Sequence, residues 1–290
     1  MAAACIACGG TAFTAVSYPA AGAPAAPIRF DSIRVCTGCG LGQALPEYPQ
    51  AALDAFYADG RYWGDTVARD RRQVLHERNQ CRHRVAAVQP LLPAGDALRV
   101  LDVGAGHGWI ADQWRSSLPG RALTYHFVEP DPAMSALIRA RVTDAAVERL
   151  PGLAQAQPGY DAIFLNHVLE HVADPPALLA ALRHLLAPCG LAYIEVPHAD
   201  YRFKRDVFPH TWFFTPPALH KLAALGGLRE ERCETFGRLP GVSALPLRVA
   251  YRAAAMANVV PLAGWLDDRL WRYRPAADGL WIRWMVRAEG

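Results

Sequence analysis

VLDVGAGHG, residues 100–108, is an apolar, β-branched run that breaks into three glycines and leads into the helical stretch 109–118. A buried strand, a glycine-rich turn and a helix let the backbone approach a ligand at the carboxyl edge of an open sheet. The turn alone does not say which ligand. A dinucleotide fingerprint would want its third glycine at the position held by Trp109. The next apolar strand, 123–128, runs into Glu129-Pro130-Asp131, where an acidic side chain can accept both hydroxyls of a ribose. That feature suits NAD and S-adenosylmethionine equally.

Outward from this stretch, strand and helix patterns alternate, which predicts an α/β domain with a mostly parallel sheet covered on both faces. Strands are expected at 98–103, 123–128, 145–147, 160–165, 191–196, 229–236 and 280–287, and helices at 132–142, 175–186 and 217–224. Upstream, 51–57 reads as a short helix and 67–92 as a long, arginine-rich one. The domain expectation is a zinc-binding module at 1–48, a helical linker or lid at 49–94, and a catalytic domain at 95–290 with an insertion at about 237–279.

Four segments in order resemble the class I S-adenosylmethionine-dependent methyltransferases, in the bacterial group that includes the ubiquinone-pathway O-methyltransferases. They are VLDVGAGHG at 100–108, FVEPDP at 127–132, YDAIFLNHVLEHVADP at 160–175 and LLAPCGLAYIEVP at 185–197. The resemblance covers roughly 98–236 and implies a Rossmann-like, seven-stranded sheet whose last strand runs antiparallel. It implies that Asp102, Gly104, Ala105, Gly106 and Gly108 surround the methionine part of S-adenosylmethionine, with Glu129 and Pro130 at the ribose. Asn166 would lie under the methionine amino group. Residues 143–150 depart from the usual acidic pattern, so the adenine-edge residue stays unassigned.

Cys5-x-x-Cys8-Gly and Cys36-x-x-Cys39-Gly are two identical knuckles separated by 27 residues, a pattern that places four thiolates around a structural zinc. A redox pair would want CxxC at a helix start in a thioredoxin-like context, which is missing. The run Cys36-Thr-Gly-Cys-Gly-Leu, then Pro46 and Ala55-Phe-Tyr, is similar to an opening of bacterial methyltransferases in polysaccharide or natural-product pathways. The sugar C-methyltransferases share a comparable module. Cys81, Cys189 and Cys233 read as packing residues.

Methyl transfer from a sulfonium needs positioning first, and a base where the acceptor holds its proton tightly. His167-Val-Leu-Glu170-His171 puts three polar side chains on neighbouring faces of one expected helical turn. With His210 before Thr-Trp-Phe-Phe-Thr, the set is similar to the metal-assisted members of the superfamily, whose pattern is Glu-x-x-Glu-His and a later His. Glu170, His171 and His210 match; His167 replaces the first Glu, which weakens a site for a hard divalent ion. The preferred expectation is a single general base, His171 or His210, ahead of a second divalent metal at Glu170, His171 and His210.

The 290 residues are 52% hydrophobic and 20% charged with a net charge of +3, ordinary for a globular protein. Lysine occurs only at Lys204 and Lys221, so no clustered basic run favours nucleic acid. Met1 to Ala4 leads straight into Cys5 without a secretory pattern, and the apolar stretch near 253–264 is short, which reads as cytoplasmic. The insertion carries Trp265, Trp271, Arg248, Arg252, Arg269, Arg272 and Arg274. It is expected to roof the substrate pocket or form a dimer contact, ahead of an amphipathic membrane face. Together these readings predict methyl transfer to a hydroxyl or carbon of a small-molecule acceptor, a saccharide or related intermediate. RNA modification and non-catalytic cofactor binding are the alternatives; the base-methylating signature Asn-Pro-Pro-aromatic is replaced by Asn166-His-Val-Leu.

Overall fold

The computed structural model describes residues 4–20, 27–59, 71–117, 120–142, 146–237, 245–271, 273–277 and 279–289. Near the amino end, β1 (Phe13–Ser17), β2 (Ser32–Cys36) and β3 (Gly42–Leu45) pair antiparallel and carry the two cysteine knuckles at their turns. Two helices follow, α1 (Gln50–Ala58) and α2 (Arg71–Val88). The expected start of the long helix at 67–70 lies outside the described residues.

The alternating region then gives β4 (Ala97–Val103), α3 (Trp109–Ser117), β5 (Ala122–Val128), α4 (Pro132–Arg141), β6 (Ala146–Arg149), β7 (Tyr160–Asn166), α5 (Pro175–Leu185) and β8 (Leu186–Pro197). The third expected strand is β6, with position 145 outside the described residues. After β8 come the short β9 (Trp212–Phe213), α6 (Pro216–Leu225), β10 (Leu228–Phe236), α7 (Leu245–Met256), α8 (Val260–Trp271) and β11 (Trp281–Ala288). The large sheet has seven strands in the order β10-β11-β8-β7-β4-β5-β6, and β11 runs antiparallel to both of its neighbours, as expected.

Its central strands are apolar on both faces because both faces are covered. Val100, Phe164, Tyr193 and Met285 pack under α2, α3 and α4 against Val85, Trp114 and Ile138. Leu101, Ile163, Ile194 and Trp284 pack on the other side against Leu179 and Leu182 of α5 and Leu219 and Leu222 of α6. Helix starts are set by side-chain caps over an early proline. Asp131 accepts from the backbone N–H of Ala133 (2.7 Å) and Met134 (3.2 Å), and Asp174 from Ala177 (3.0 Å).

The cysteine module does not stand apart. Cys5, Cys36, Cys39 and Leu41 belong to the same buried cluster as α5 and α6. Its sheet takes β9 as a fourth strand, with Gly42 opposite Phe213 and Gln43 opposite Trp212. Gly42 is needed there: a Cβ would sit 3.0 Å from side-chain carbons of both Ile33 and Phe213. Thr215 completes the join by donating to the Cys39 carbonyl at 2.7 Å while capping α6 at the Ala218 N–H, 3.4 Å away.

The insertion forms an α7–α8 hairpin that packs on α2 through Tyr251, Ala254, Ala263, Leu266 and Leu270. Among the described residues, no helix is long and apolar enough to cross a membrane. Replacing the buried Thr215 with valine keeps its shape but leaves the Cys39 carbonyl and the α6 N-terminus without their partner. Urea denaturation should show a loss of about 1–3 kcal/mol.

Candidate functional site

A cavity of about 1070 Å³ opens at the carboxyl ends of β4, β5 and β7. One wall is the glycine turn. Gly104 (φ +69°) and Gly108 (φ +70°) occupy left-handed backbone, and a Cβ would meet Val168 at 2.5 Å and Ile138 at 2.9 Å respectively. Glu129, 2% exposed, accepts the Gly106 N–H (2.8 Å) on Oε2 and the Asp131 N–H (3.0 Å) on Oε1. Each oxygen keeps a lone pair for a further donor. Burial raises the Glu129 carboxyl above its ordinary value, against the pull of those two N–H groups.

Asp102 lies at the base of the same wall, 1% exposed. Its Oδ2 accepts the Tyr125 hydroxyl at 2.5 Å, whereas Oδ1 is buried without a hydrogen-bond partner. Burial pushes this carboxyl up to about 7. Asn166 Oδ1 is likewise buried and unpartnered, and both residues line the cavity. Two unsatisfied acceptors in one wall call for a bound donor, because orphaned buried polar atoms are costly. Ala105 and Pro130 line the cavity beside them, and Arg149, Pro151, Gly152 and Leu153 form the side left unassigned from sequence.

The opposite wall brings together residues far apart in the chain. Gln50, Asp54 and Tyr57 come from α1, Glu77, Gln80 and Arg84 from α2, and His167 and His171 from the segment after β7. That segment is not the single helical turn expected: His167 is left-handed (φ 57°), and only Leu169–His171 forms a short 3-10 turn. The kink aims His167 between two carboxylates. Its Nδ1 is 3.1 Å from Glu170 Oε1 and its Nε2 is 3.3 Å from Glu195 Oε1. Burial would lower the His167 imidazole, but its bonds to Glu170 and Glu195 prevail and raise it to about 9. Glu195 is itself gripped by Arg84, at 2.5 Å through Nη2 and 3.2 Å through Nε, and accepts the Tyr193 hydroxyl at 2.7 Å. Burial works against that carboxylate, yet Arg84 holds it well below the usual range.

His171 is a different case. Burial lowers it to about 3, with Glu170 only partly offsetting the effect, so it is neutral at ordinary pH. Its Nδ1 shares a 2.7 Å hydrogen bond with the Tyr57 hydroxyl. His210 packs edge-on against it, ring centroids 4.9 Å apart, but neither His210 nor the fully buried Glu170 lines the cavity. Ligand atoms of Glu170, His171 and His210 lie within 4.8 Å of one another; Glu170 Oε2 is buried without a hydrogen-bond partner, and His210 Nδ1 faces the buried Asp200 Oδ2 at 3.4 Å. His198 turns away, its Nδ1 3.0 Å from the Gly279 carbonyl. No described residue of 237–279 lines the cavity, so the hairpin is not the roof the sequence suggested.

Arg84 and Glu195 escaped sequence reading. The available signal was a lone acid in an otherwise apolar strand, which demands a buried partner.

The four knuckle sulfurs converge as expected. Cys5 and Cys39 Sγ are 3.6 Å apart, Cys8 and Cys36 3.5 Å, and all four lie within 4.8 Å of one another. A tetrahedral zinc with Zn–S bonds of about 2.3 Å spaces its sulfurs by about 3.8 Å, so the donor set fits that ion. The separations are far beyond the roughly 2.05 Å of a disulfide.

A family model described as a methyltransferase domain matches residues 67–230, more than half of the chain. The ubiquinone biosynthesis O-methyltransferase of Xanthomonas campestris pv. campestris is 32% identical over 153 residues, covering 51% of this chain and 61% of that protein. The alignment thus spans about three fifths of that relative's length. The enzyme of the same name from Thiobacillus denitrificans is 29% identical over 209 residues, 64% of this chain and 84% of that one. Among solved structures, a chain from the Haloferax volcanii complex of a methyltransferase with the Trm112 methyltransferase activator superposes with a TM-score of 0.54. It shares 15% identity and covers 82% of this chain and 98% of its own, a likeness of fold.

The two histidines on the cavity wall should titrate on opposite sides of neutrality. Imidazole NMR should place His167 at about 9 and leave His171 neutral down to about 3. The folded His167 value lies above that of an unfolded imidazole. Its contribution to stability is therefore complete below about 6.5 and is lost as the pH rises through about 9. His167→Gln should remove that part of the pH dependence in denaturation curves.

Proposed function

The chain belongs to the class I S-adenosylmethionine-dependent methyltransferases, and from that premise we propose that it methylates a hydroxyl of a small-molecule acceptor in this cavity. The observation that carries the reading is the donor-hungry wall. Asp102 Oδ1 and Asn166 Oδ1 lack partners where an ammonium would satisfy both, and Glu129 keeps lone pairs where vicinal hydroxyls would reach it. An amino acid joined to a ribose presents those groups, and the glycine turn leaves space for its backbone-hugging approach. When bound, S-adenosylmethionine supplies an electrophilic methyl: an acceptor–carbon bond forms as the carbon–sulfur bond breaks, with the electron pair passing to sulfur.

Of the polar groups expected to act, His171 stands on the cavity wall in its neutral form, with Tyr57 bonded to its Nδ1. It is the group assigned here to take the acceptor's proton. His167, held as a cation with both ring nitrogens engaged by Glu170 and Glu195, is assigned to place a positive charge on the cavity wall. His210 and Glu170 back this pair from behind the wall.

A second reading is favoured by the unpartnered Glu170 Oε2 and by His210, whose ligand atom lies within 4.8 Å of that of Glu170. With His171 they would complete a two-histidine, one-carboxylate site for a divalent ion, which would act as a Lewis acid toward the acceptor. The four cysteines are assigned to a structural zinc. Acceptor candidates are sugar-linked hydroxyl compounds, suggested by the cysteine module, and ubiquinone-pathway intermediates, suggested by the curated relatives.

Calorimetry should show binding of S-adenosylmethionine and no binding of NAD. Glu129→Ala should weaken it by about 1.5–3 kcal/mol. Because Asp102 titrates at about 7, wild-type affinity should rise as the pH passes upward through that value. Asp102→Asn should be weaker and pH-independent; unchanged affinity in both variants would place the cofactor elsewhere. A chelator that spares the cysteine-held zinc separates the acceptor chemistries. Activity surviving it but reduced about 10²–10⁴-fold in His171→Ala supports the base, whereas loss restored by Mg²⁺ or Mn²⁺ supports the ion.

A further inference from the structure

Exposed large apolar side chains are concentrated in one place. Leu245, Val249, Met256, Val259, Val260, Leu262 and Trp265 are 37–76% exposed and all lie on the α7–α8 hairpin. The other described ones, Val16, Phe203 and Leu225, are scattered, and isolated cases of that kind need no explanation.

The hairpin residues form stripes. On α7, Leu245, Val249, Arg252 and Met256 recur at helical spacing on the side away from Tyr251 and Ala254, which are buried toward α2. On α8, Leu262, Trp265 and Arg269 do the same, opposite Ala263, Leu266 and Leu270. Met256, Val259 and Val260 crown the turn between the helices.

Charge is sorted as sharply as hydropathy. Arg248, Arg252 and Arg269 are exposed, and the Arg269 guanidinium stacks 3.3 Å above the Trp265 ring. The hairpin's acids, Asp267 and Asp268, face α2 instead. Asp267 is 1% exposed and bonded to His76 (2.8 Å), Asn79 (2.7 Å) and Tyr273 (3.0 Å). Asp268 is taken by Arg82 (2.8 Å) and His83 (2.6 Å). The outward face therefore offers apolar side chains and arginines with no acid among them.

We propose that the outer face of the α7–α8 hairpin docks the protein on the surface of bilayers containing anionic lipid. A tryptophan with a stacked arginine suits the headgroup boundary, where the ring is half-immersed and the guanidinium meets phosphate. Two helices of 12 residues are too short to span a bilayer and instead lie in its interface. A second copy of the chain is a poor occupant. A two-fold contact would bring the same arginines together with no acid to pair them.

The test is flotation of the full chain with phosphatidylcholine vesicles, with and without about a third phosphatidylglycerol. Binding is expected to the anionic vesicles only and to fall with added salt. Removing Arg248 and Arg252 as glutamines should weaken it by about fivefold per arginine, and Val249→Glu with Trp265→Glu should reduce it about tenfold or more. Phe203→Glu, at an exposed aromatic elsewhere, should change nothing. Cofactor binding should be retained in every variant, which separates this proposal from the assignment of the cavity. No flotation with anionic vesicles, or flotation indifferent to the hairpin substitutions, overturns the proposal. So does a dimer in sedimentation that those substitutions dissolve, because the face then belongs to a second copy.

Discussion

Glu195 is a carboxylate only 3% exposed, in β8, an interior strand of the large sheet, and its charge is tolerated because Arg84 reaches it from α2. Removing one partner of such a pair costs about 3–5 kcal/mol, since the survivor is left charged and dry. Here the pair also fixes geometry. It clamps α2, which carries Glu77 and Gln80 on the cavity wall, onto the sheet. The same oxygen that Arg84 Nη2 grips, Glu195 Oε1, also holds the Nε2 side of His167, while Glu170 holds the other. The left-handed backbone at His167 is strain that these two carboxylates offset. Position and charge of the imidazole are thus set by two buried carboxylates, one of them anchored by Arg84.

The same economy ties the cysteine knuckles to the far side of the cavity. β9 is the edge strand of the small sheet, and the residue before it, Thr211, donates from both its N–H and its hydroxyl to the Glu170 carbonyl at 2.8 Å. Tyr18 reaches across from the module to the His210 carbonyl at 2.9 Å. The placement of the knuckle cysteines and that of Glu170 and His210 therefore share a short run of chain, 210–215.

What could be read from sequence was what is local. The strand–glycine–helix of 100–108, the acid at Glu129 and the paired knuckles are contiguous patterns whose backbone demands leave few alternatives, and all fall where expected. The alternation of strands and helices similarly fixed the sheet. The histidine segment was half legible: residue types showed which side chains would gather, but a left-handed residue at a non-glycine position has no signal. Arg84 and Glu195 are 111 residues apart, and nothing in either neighbourhood names the other. A two-residue strand such as β9 carries no periodicity at all. The hairpin was expected to roof the pocket or form a dimer contact; its amphipathic spacing tells which face is buried, not against what, and the structure packs that face on α2.

β9 has a temporal meaning as well. β3 leaves the ribosome some 170 residues before its partner at Trp212–Phe213, and throughout that interval its outer edge has unpaired N–H and C=O groups. Such an edge invites pairing with other nascent chains. The burden of protecting it during synthesis falls on the module's own brevity and on the four residues of β3. The cysteine module is therefore made well before the strand that completes its sheet.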